Sequence, residues 1–135
     1  MLPLIEKEFG ATDTSYYSFL LIYAGVSFER SHQYDKAEQY YLKARAIYEK
    51  INALSNNTYI ISLNSLAALY SELGKFENAE TLYKQALEII KKSFGEESAN
   101  YINALNNIAQ LYQGMGNYEK AEPLYKQALE IRHEV

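Results

Sequence analysis

Cysteine is absent from the chain. That excludes disulfides, thiol nucleophiles and thiolate metal sites. Positive charge is scattered: the longest basic run is Lys91-Lys92, and the formal net charge is −4. With no basic patch to neutralise phosphates, neither nucleic acid nor an anionic membrane surface is an expected partner. No apolar run approaches the roughly 20 residues that span a bilayer. The N-terminal MLPLIEKEFG carries acids where a signal peptide keeps a long apolar stretch. The expectation is a cytoplasmic protein. Histidine is scarce too. His32 falls in an expected turn and His133 near the C-terminus, neither with a nucleophile or metal partner at useful spacing. No catalytic residue, metal or cofactor is expected, and the chain is not expected to be an enzyme.

What the chain does have is repetition. Hydrophobic residues make up 48% of the 135 positions and charged residues 22%, a balance that folds. FENAETLYKQALEI from Phe76 to Ile89 returns as YEKAEPLYKQALEI from Tyr118 to Ile131, and more loosely as YDKAEQYYLKARAI from Tyr34 to Ile47. The spacing is 42 residues without a gap. It holds for Ala37, Ala79 and Ala121; for Tyr41, Tyr83 and Tyr125; for Ala44, Ala86 and Ala128; and upstream for Phe28, Tyr70 and Tyr112. A fixed period of this length marks a stacked repeat architecture.

Each copy contains two helical patterns. In the last one, Ile102, Leu105, Ile108, Ala109 and Tyr112 recur at three- and four-residue steps, forming one apolar stripe. GMGN then breaks the chain, with Gly114 and Gly116 suited to a helix end and Asn117 to an N-cap. A second stripe follows in Ala121, Leu124, Tyr125, Ala128 and Leu129. The same reading along the chain predicts helices near 14–31, 34–53, 56–73, 76–94, 98–115 and 118–133. The small residues have a mechanical use: they let two helices approach, and the tyrosine one turn on fills the space beside them. Gly25, Ala67 and Ala109 supply the small partner on the first helix of each pair.

These residues carry a resemblance. Gly25, Ala67 and Ala109, the aromatics Phe28, Tyr70 and Tyr112, and the alanines at 37, 79, 121, 44, 86 and 128 stand where the tetratricopeptide repeat (TPR) family has its signature. The usual repeat is 34 residues; 42 resembles the kinesin-light-chain class. FGEESANY resembles that class's inter-repeat turn, with Ser98-Ala99 in place of its His-Pro. The resemblance covers nearly the whole chain. It implies an all-α fold, a right-handed α-solenoid of about three antiparallel helix-turn-helix units. The expected division is 14–53, 56–95 and 98–135 as repeats one to three. Residues 1–10 are expected to be the tail of a preceding repeat helix, because IEKEFG resembles IKKSFG. The chain is thus expected to be a segment of a longer array.

The resemblance also implies where a ligand binds. In TPR proteins the first helix of each pair lines a concave groove. The stripe opposite the core is Phe19, Ile22, Tyr23 and Val26 in the first copy, with Arg30 near its end. In the second it is Ile61, Asn64, Ser65, Ala68 and Glu72, and in the third Asn103, Asn106, Asn107, Gln110 and Gln113. Asparagine is a mediocre helix former, yet its amide offers both donor and acceptor, as reading a peptide backbone requires. Asn64, Asn106 and Asn107 match asparagines of kinesin-light-chain-like repeats. The stripe also fits an inherited consensus that stabilises helix-to-helix contacts. The apolar set from Phe19 to Val26 fits either a partner side chain or packing against another repeat or copy. Chaperone-tail-binding TPRs use a clamp of Lys, Asn and Arg. Here Ile22 and Val26 hold the first clamp positions and no groove lysine recurs, which disfavours that activity. The leading expectation is a non-enzymatic scaffold binding a peptide or partner helix in the groove. The alternatives are a sensor or regulatory segment of a larger multidomain protein, and self-association, as a homo-oligomer, through uncapped terminal repeats.

Overall fold

The computed structural model describes residues 14–50 and 57–134. Six helices follow one another: α1 (Thr14–Arg30), α2 (Tyr34–Lys50), α3 (Asn57–Glu72), α4 (Phe76–Phe94), α5 (Ala99–Gly114) and α6 (Tyr118–Glu134). Every described bound lies within three residues of the sequence expectation. The proposed helix tail at 1–10 and the turn at 51–56 lie outside the described residues. The chain divides into two compact units, Met1–Leu69 and Tyr70–Val135.

One turn is built three times. After α1, the amide of Gln33 donates to the Phe28 carbonyl at 2.8 Å and that of His32 to Glu29 at 3.0 Å. After α3, Lys75 donates to Tyr70 at 2.7 Å and Gly74 to Ser71 at 3.1 Å; after α5, Asn117 donates to Tyr112 at 2.8 Å and Gly116 to Gln113 at 3.0 Å. This pair of bonds is the Schellman motif, which closes a helix through one left-handed residue. Gly74 and Gly116 take that residue's φ of 80°, and His32 takes it at 62°. Gly114 stays helical, so of the two glycines in GMGN only Gly116 turns the chain. The Asn117 carboxamide accepts from the Lys120 amide at 3.3 Å, capping α6 as expected.

In the first unit α1 and α2 pack on each other. The Tyr41 ring is buried at 1% exposure, and its hydroxyl donates to Glu29 at 3.0 Å. Its closeness to Gly25 is what a small residue permits: a Cβ built there would lie 2.5 Å from Tyr41 Cε1. The rings of Tyr48 and Tyr59 meet at 6.3 Å, and the Tyr59 hydroxyl donates to Glu49 at 2.9 Å, tying α2 to α3.

In the second unit α5 packs against both α4 and α6. Ile108, Tyr112 and Ala121 form its core, with Tyr83, Leu87, Leu124 and Tyr125 packed around them. Ser98, where the resemblance has proline's partner dipeptide altered, starts α5 well. Its hydroxyl accepts from the Tyr101 amide at 3.1 Å and donates to the Gly95 carbonyl at 2.9 Å. α6 runs through Pro123 without a break in its span.

A lysine also caps the ring at the end of each first helix. Lys36 lies 5.5 Å from the Phe28 centroid, Lys75 5.8 Å from Tyr70 and Lys120 5.5 Å from Tyr112. No helix among the described residues is long and apolar enough to cross a membrane.

Candidate functional site

The helices divide sharply by charge. Glu29 and Arg30 are the charged residues of α1, Glu72 is that of α3, and α5 has none. The second helices α2, α4 and α6 carry acids and bases along their length. Their exposed faces are laced with pairs such as Arg45–Glu49 at 3.0 Å and Lys126–Glu122 at 3.0 Å. Those are ordinary solvated faces. The first helices keep water-facing positions that carry neither sign of charge, and these hold the candidate residues.

On α1, Phe19 is 50% exposed and Tyr23 66% exposed, with ring centroids 6.0 Å apart. Val26 is half-buried. Ile22 departs from the expectation: at 8% exposure it belongs to the core, so it offers a ligand little surface. The reason is that α1 is apolar nearly all round, so its periodicity does not separate the two faces. On α3, Ile61 and Ala68 are exposed, while Asn64 and Ser65 are half-buried. The Asn64 Oδ1 atom is shielded from water and has no hydrogen-bond partner. An unpaired buried acceptor costs about 1–3 kcal/mol.

On α5, Asn103 and Gln110 are exposed and Asn106 and Asn107 half-buried. Gln113 is exposed but engaged: its Oε1 accepts from the Tyr125 hydroxyl at 2.9 Å. It faces α6 rather than standing apart with the other amides. This bond repeats Tyr41–Glu29 at the same register. In the middle copy Ser71 is too short to reach Tyr83, and no such bond joins them among the described residues.

Two pockets open on the second unit. One, of about 350 Å³, is lined by Gln113, Tyr118, Tyr125 and Leu129 among others. The other, of about 280 Å³, lies between Ile102 and Asn106 of α5 and Tyr125, Leu129 and Arg132 of α6. The sequence reading placed Leu129 in an apolar stripe; it is 57% exposed. Its counterpart Leu87 packs against α5. The pattern is the same, and the difference is whether a helix lies over it.

Among the described residues no three metal-binding side chains cluster. The exposed His32 has its Nδ1 2.9 Å from the Tyr34 hydroxyl, and the His133 side chain lies outside the described residues. Three tyrosines have raised pKa values. Tyr112 is pushed up to about 12, first by burial and then by hydrogen bonding to, and the negative charge of, Glu80. Tyr41 is pushed up further by burial and by Glu29, and Tyr83 is raised by burial. All three belong to helix packing, so none supplies a proton donor or nucleophile at neutral pH.

Comparisons with known proteins follow the geometry. A family model described as tetratricopeptide repeat matches residues 18–89 and again 57–134. No match was found among curated protein sequences. Among solved structures, BtubC (BKLC) from P. vanneervenii is 27% identical, with a TM-score of 0.84 over 90% of this chain and 48% of its own. A putative kinesin light chain from Podosopora anserina with nearly identical TPR-like repeats is 20% identical, with a TM-score of 0.79 over 88% of this chain and 56% of its own. The chain therefore spans about half the length of each of these two. The TPR domain of Arabidopsis FLU is 19% identical, with a TM-score of 0.75 over 90% of this chain and 99% of its own. The fold of these structures is the TPR solenoid, and their family is one of protein–protein interaction modules that are generally not enzymes. By the match along its length and by its 42-residue register, the chain belongs to the tetratricopeptide repeat family, with repeats of the kinesin-light-chain type.

Proposed function

We infer that the chain is an interaction scaffold that holds a peptide or partner helix along its first helices, in the concave groove its family uses. The observation that carries this reading is the partly apolar and partly amide surface of α1, α3 and α5, whose charged residues are confined to Glu29, Arg30 and Glu72 at the helix ends. A face kept only for solubility carries Lys and Glu, as α2, α4 and α6 do. Phe19, Tyr23 and Ile61 offer apolar area, which anchors partner side chains. Asn103, Asn106, Asn107 and Gln110 offer paired donors and acceptors suited to a peptide backbone. Val26, Ser65 and Ala68 lie beside these residues in sequence as smaller contributors.

The test compares capture of partners by the unaltered chain, by the double variant Asn106→Ala with Asn107→Ala, and by Glu119→Ala on α6. The groove reading expects the double variant to lose partners that Glu119→Ala retains. The opposite pattern overturns it.

A further inference from the structure

From Ala99 to Gly114, α5 carries no charged residue. Each register position at which another first helix is charged is neutral here. Arg30 of α1 and Glu72 of α3 correspond to Gly114, and Glu29 of α1 corresponds to Gln113. The last pair separates charge from packing. Glu29 accepts from the Tyr41 hydroxyl at 3.0 Å, and Gln113 accepts from the Tyr125 hydroxyl at 2.9 Å. The same helix-to-helix bond forms with and without the charge, so packing does not account for the neutral residue.

The water-facing positions of α5 carry carboxamides instead. Asn103, Asn107 and Gln110 recur at steps of four and three residues, which puts them on one face. Asn103 and Gln110 are exposed, and Asn107 is half-buried. This face is not open merely because the repeats stop after α6. Ile61 and Ala68 of α3 stand at the registers of Asn103 and Gln110, and both are exposed although a further repeat follows them. Charges on α6 are engaged away from these amides: Lys120 lies over the Tyr112 ring, Lys126 pairs with Glu122, and Arg132 shares a pocket with Asn106.

A ligand charge laid on the three amides loses water and meets no opposite charge, which is a net cost. A main-chain amide or carbonyl laid there finds a carboxamide acceptor or donor. A helix satisfies its main-chain groups internally, so an extended segment is the one that leaves them free. We propose that the α5 face selects an extended, uncharged segment of a partner protein, with no Asp, Glu, Lys or Arg among the residues seated on Asn103, Asn107 and Gln110. This rests on the groove reading above and names the chemistry that the groove takes. Selection acts through the cost of burying a charge, so affinity does not fall with salt.

The probe is a library of random peptides displayed on phage, selected in parallel on the full chain and on the double variant Asn107→Ala with Gln110→Ala. Peptides that bind the first and not the second are synthesised and titrated by calorimetry. They should be depleted of charged residues about twofold or more relative to the library. Their Kd should change less than about twofold between roughly 50 and 500 mM NaCl. Asn107→Asp with Gln110→Glu keeps the shape and adds charge. It should weaken these peptides about tenfold or more and turn a fresh selection toward Lys and Arg. Circular dichroism confirms that both double variants remain helical. Peptides lost with the alanine pair but rich in charge, weakened by salt, or indifferent to the added carboxylates overturn the inference and leave the groove reading standing. A selection that yields only peptides binding both proteins, or none at all, overturns the groove reading and the inference with it.

Discussion

The Tyr41 ring fills the space that a side chain at position 25 would need. A Cβ on Gly25 would lie 2.5 Å from Cε1 and 2.8 Å from Cδ1 of that ring. The ring has little room to retreat, since it is 1% exposed and its hydroxyl is tied to Glu29 at 3.0 Å. Gly25→Ala should therefore destabilise the chain by about 1–3 kcal/mol, the usual range for overpacking. Helix propensity alone predicts the opposite sign, a gain of about 1 kcal/mol. Urea denaturation decides between them. Combining Gly25→Ala with Tyr41→Leu should cost less than the sum of the two changes, because the smaller side chain makes room. Additive costs would show that the contact is not the cause.

That contact also shows how far the sequence could be read. The register placed a small residue against a tyrosine in all three copies, because close helix approach demands one. It did not tell how deep each ring sits. Tyr41 is buried while Tyr83 and Tyr125 are half-buried, and Ala67 and Ala109 each add the Cβ that Gly25 lacks. On the candidate site, Phe19 and Tyr23 are legible as exposed positions, but Ile22 is not, since the run from Phe19 to Val26 is apolar or aromatic at every position except Gly25. The hydrogen bond of Gln113 is not legible, because its partner, Tyr125, lies twelve residues away on another helix. Leu129 was misread because exposure depends on the neighbouring helix and not on a residue's own stripe. Neither kind of information is held in local periodicity.

His32 holds the left-handed turn position that glycine holds after α3 and α5. Its φ of 62° forces a Cβ into a region that favours glycine. The ring recovers part of this through the 2.9 Å contact with Tyr34, but that contact is exposed to water. His32→Gly should stabilise the chain by about 1 kcal/mol. For a domain of this size that raises the thermal midpoint by roughly 2–5 °C. An unchanged or lower midpoint would show that the Tyr34 contact outweighs the strain.

The raised tyrosines predict an alkaline limit. An unfolded tyrosine ionises near 10, whereas Tyr112 in the folded chain ionises near 12. Below 10 both states keep the proton, and the contribution is fully present. Between 10 and 12 the unfolded state loses its proton while the folded state holds it, so stability falls with rising pH. Tyr41, raised further still, acts in the same direction. Denaturant midpoints measured from pH 8 to 11.5 should decline above 10. Tyr112→Phe should make that decline shallower, and an equally steep decline in the variant would remove Tyr112 as a source.

Leu87 and Leu129 form the most direct comparison, because they occupy the same register on helices of nearly the same sequence. Leu87 packs into the core formed by Ile108 and Tyr112, so Leu87→Ala should cost about 2 kcal/mol. Leu129 is 57% exposed, so Leu129→Ala should change stability by no more than about 0.5 kcal/mol. Sequence propensity and side-chain size are identical in the two changes, which leaves the covering helix as the only variable. Equal costs, together with a denaturation midpoint that rises with protein concentration, would instead mean that copies of the chain cover the face themselves.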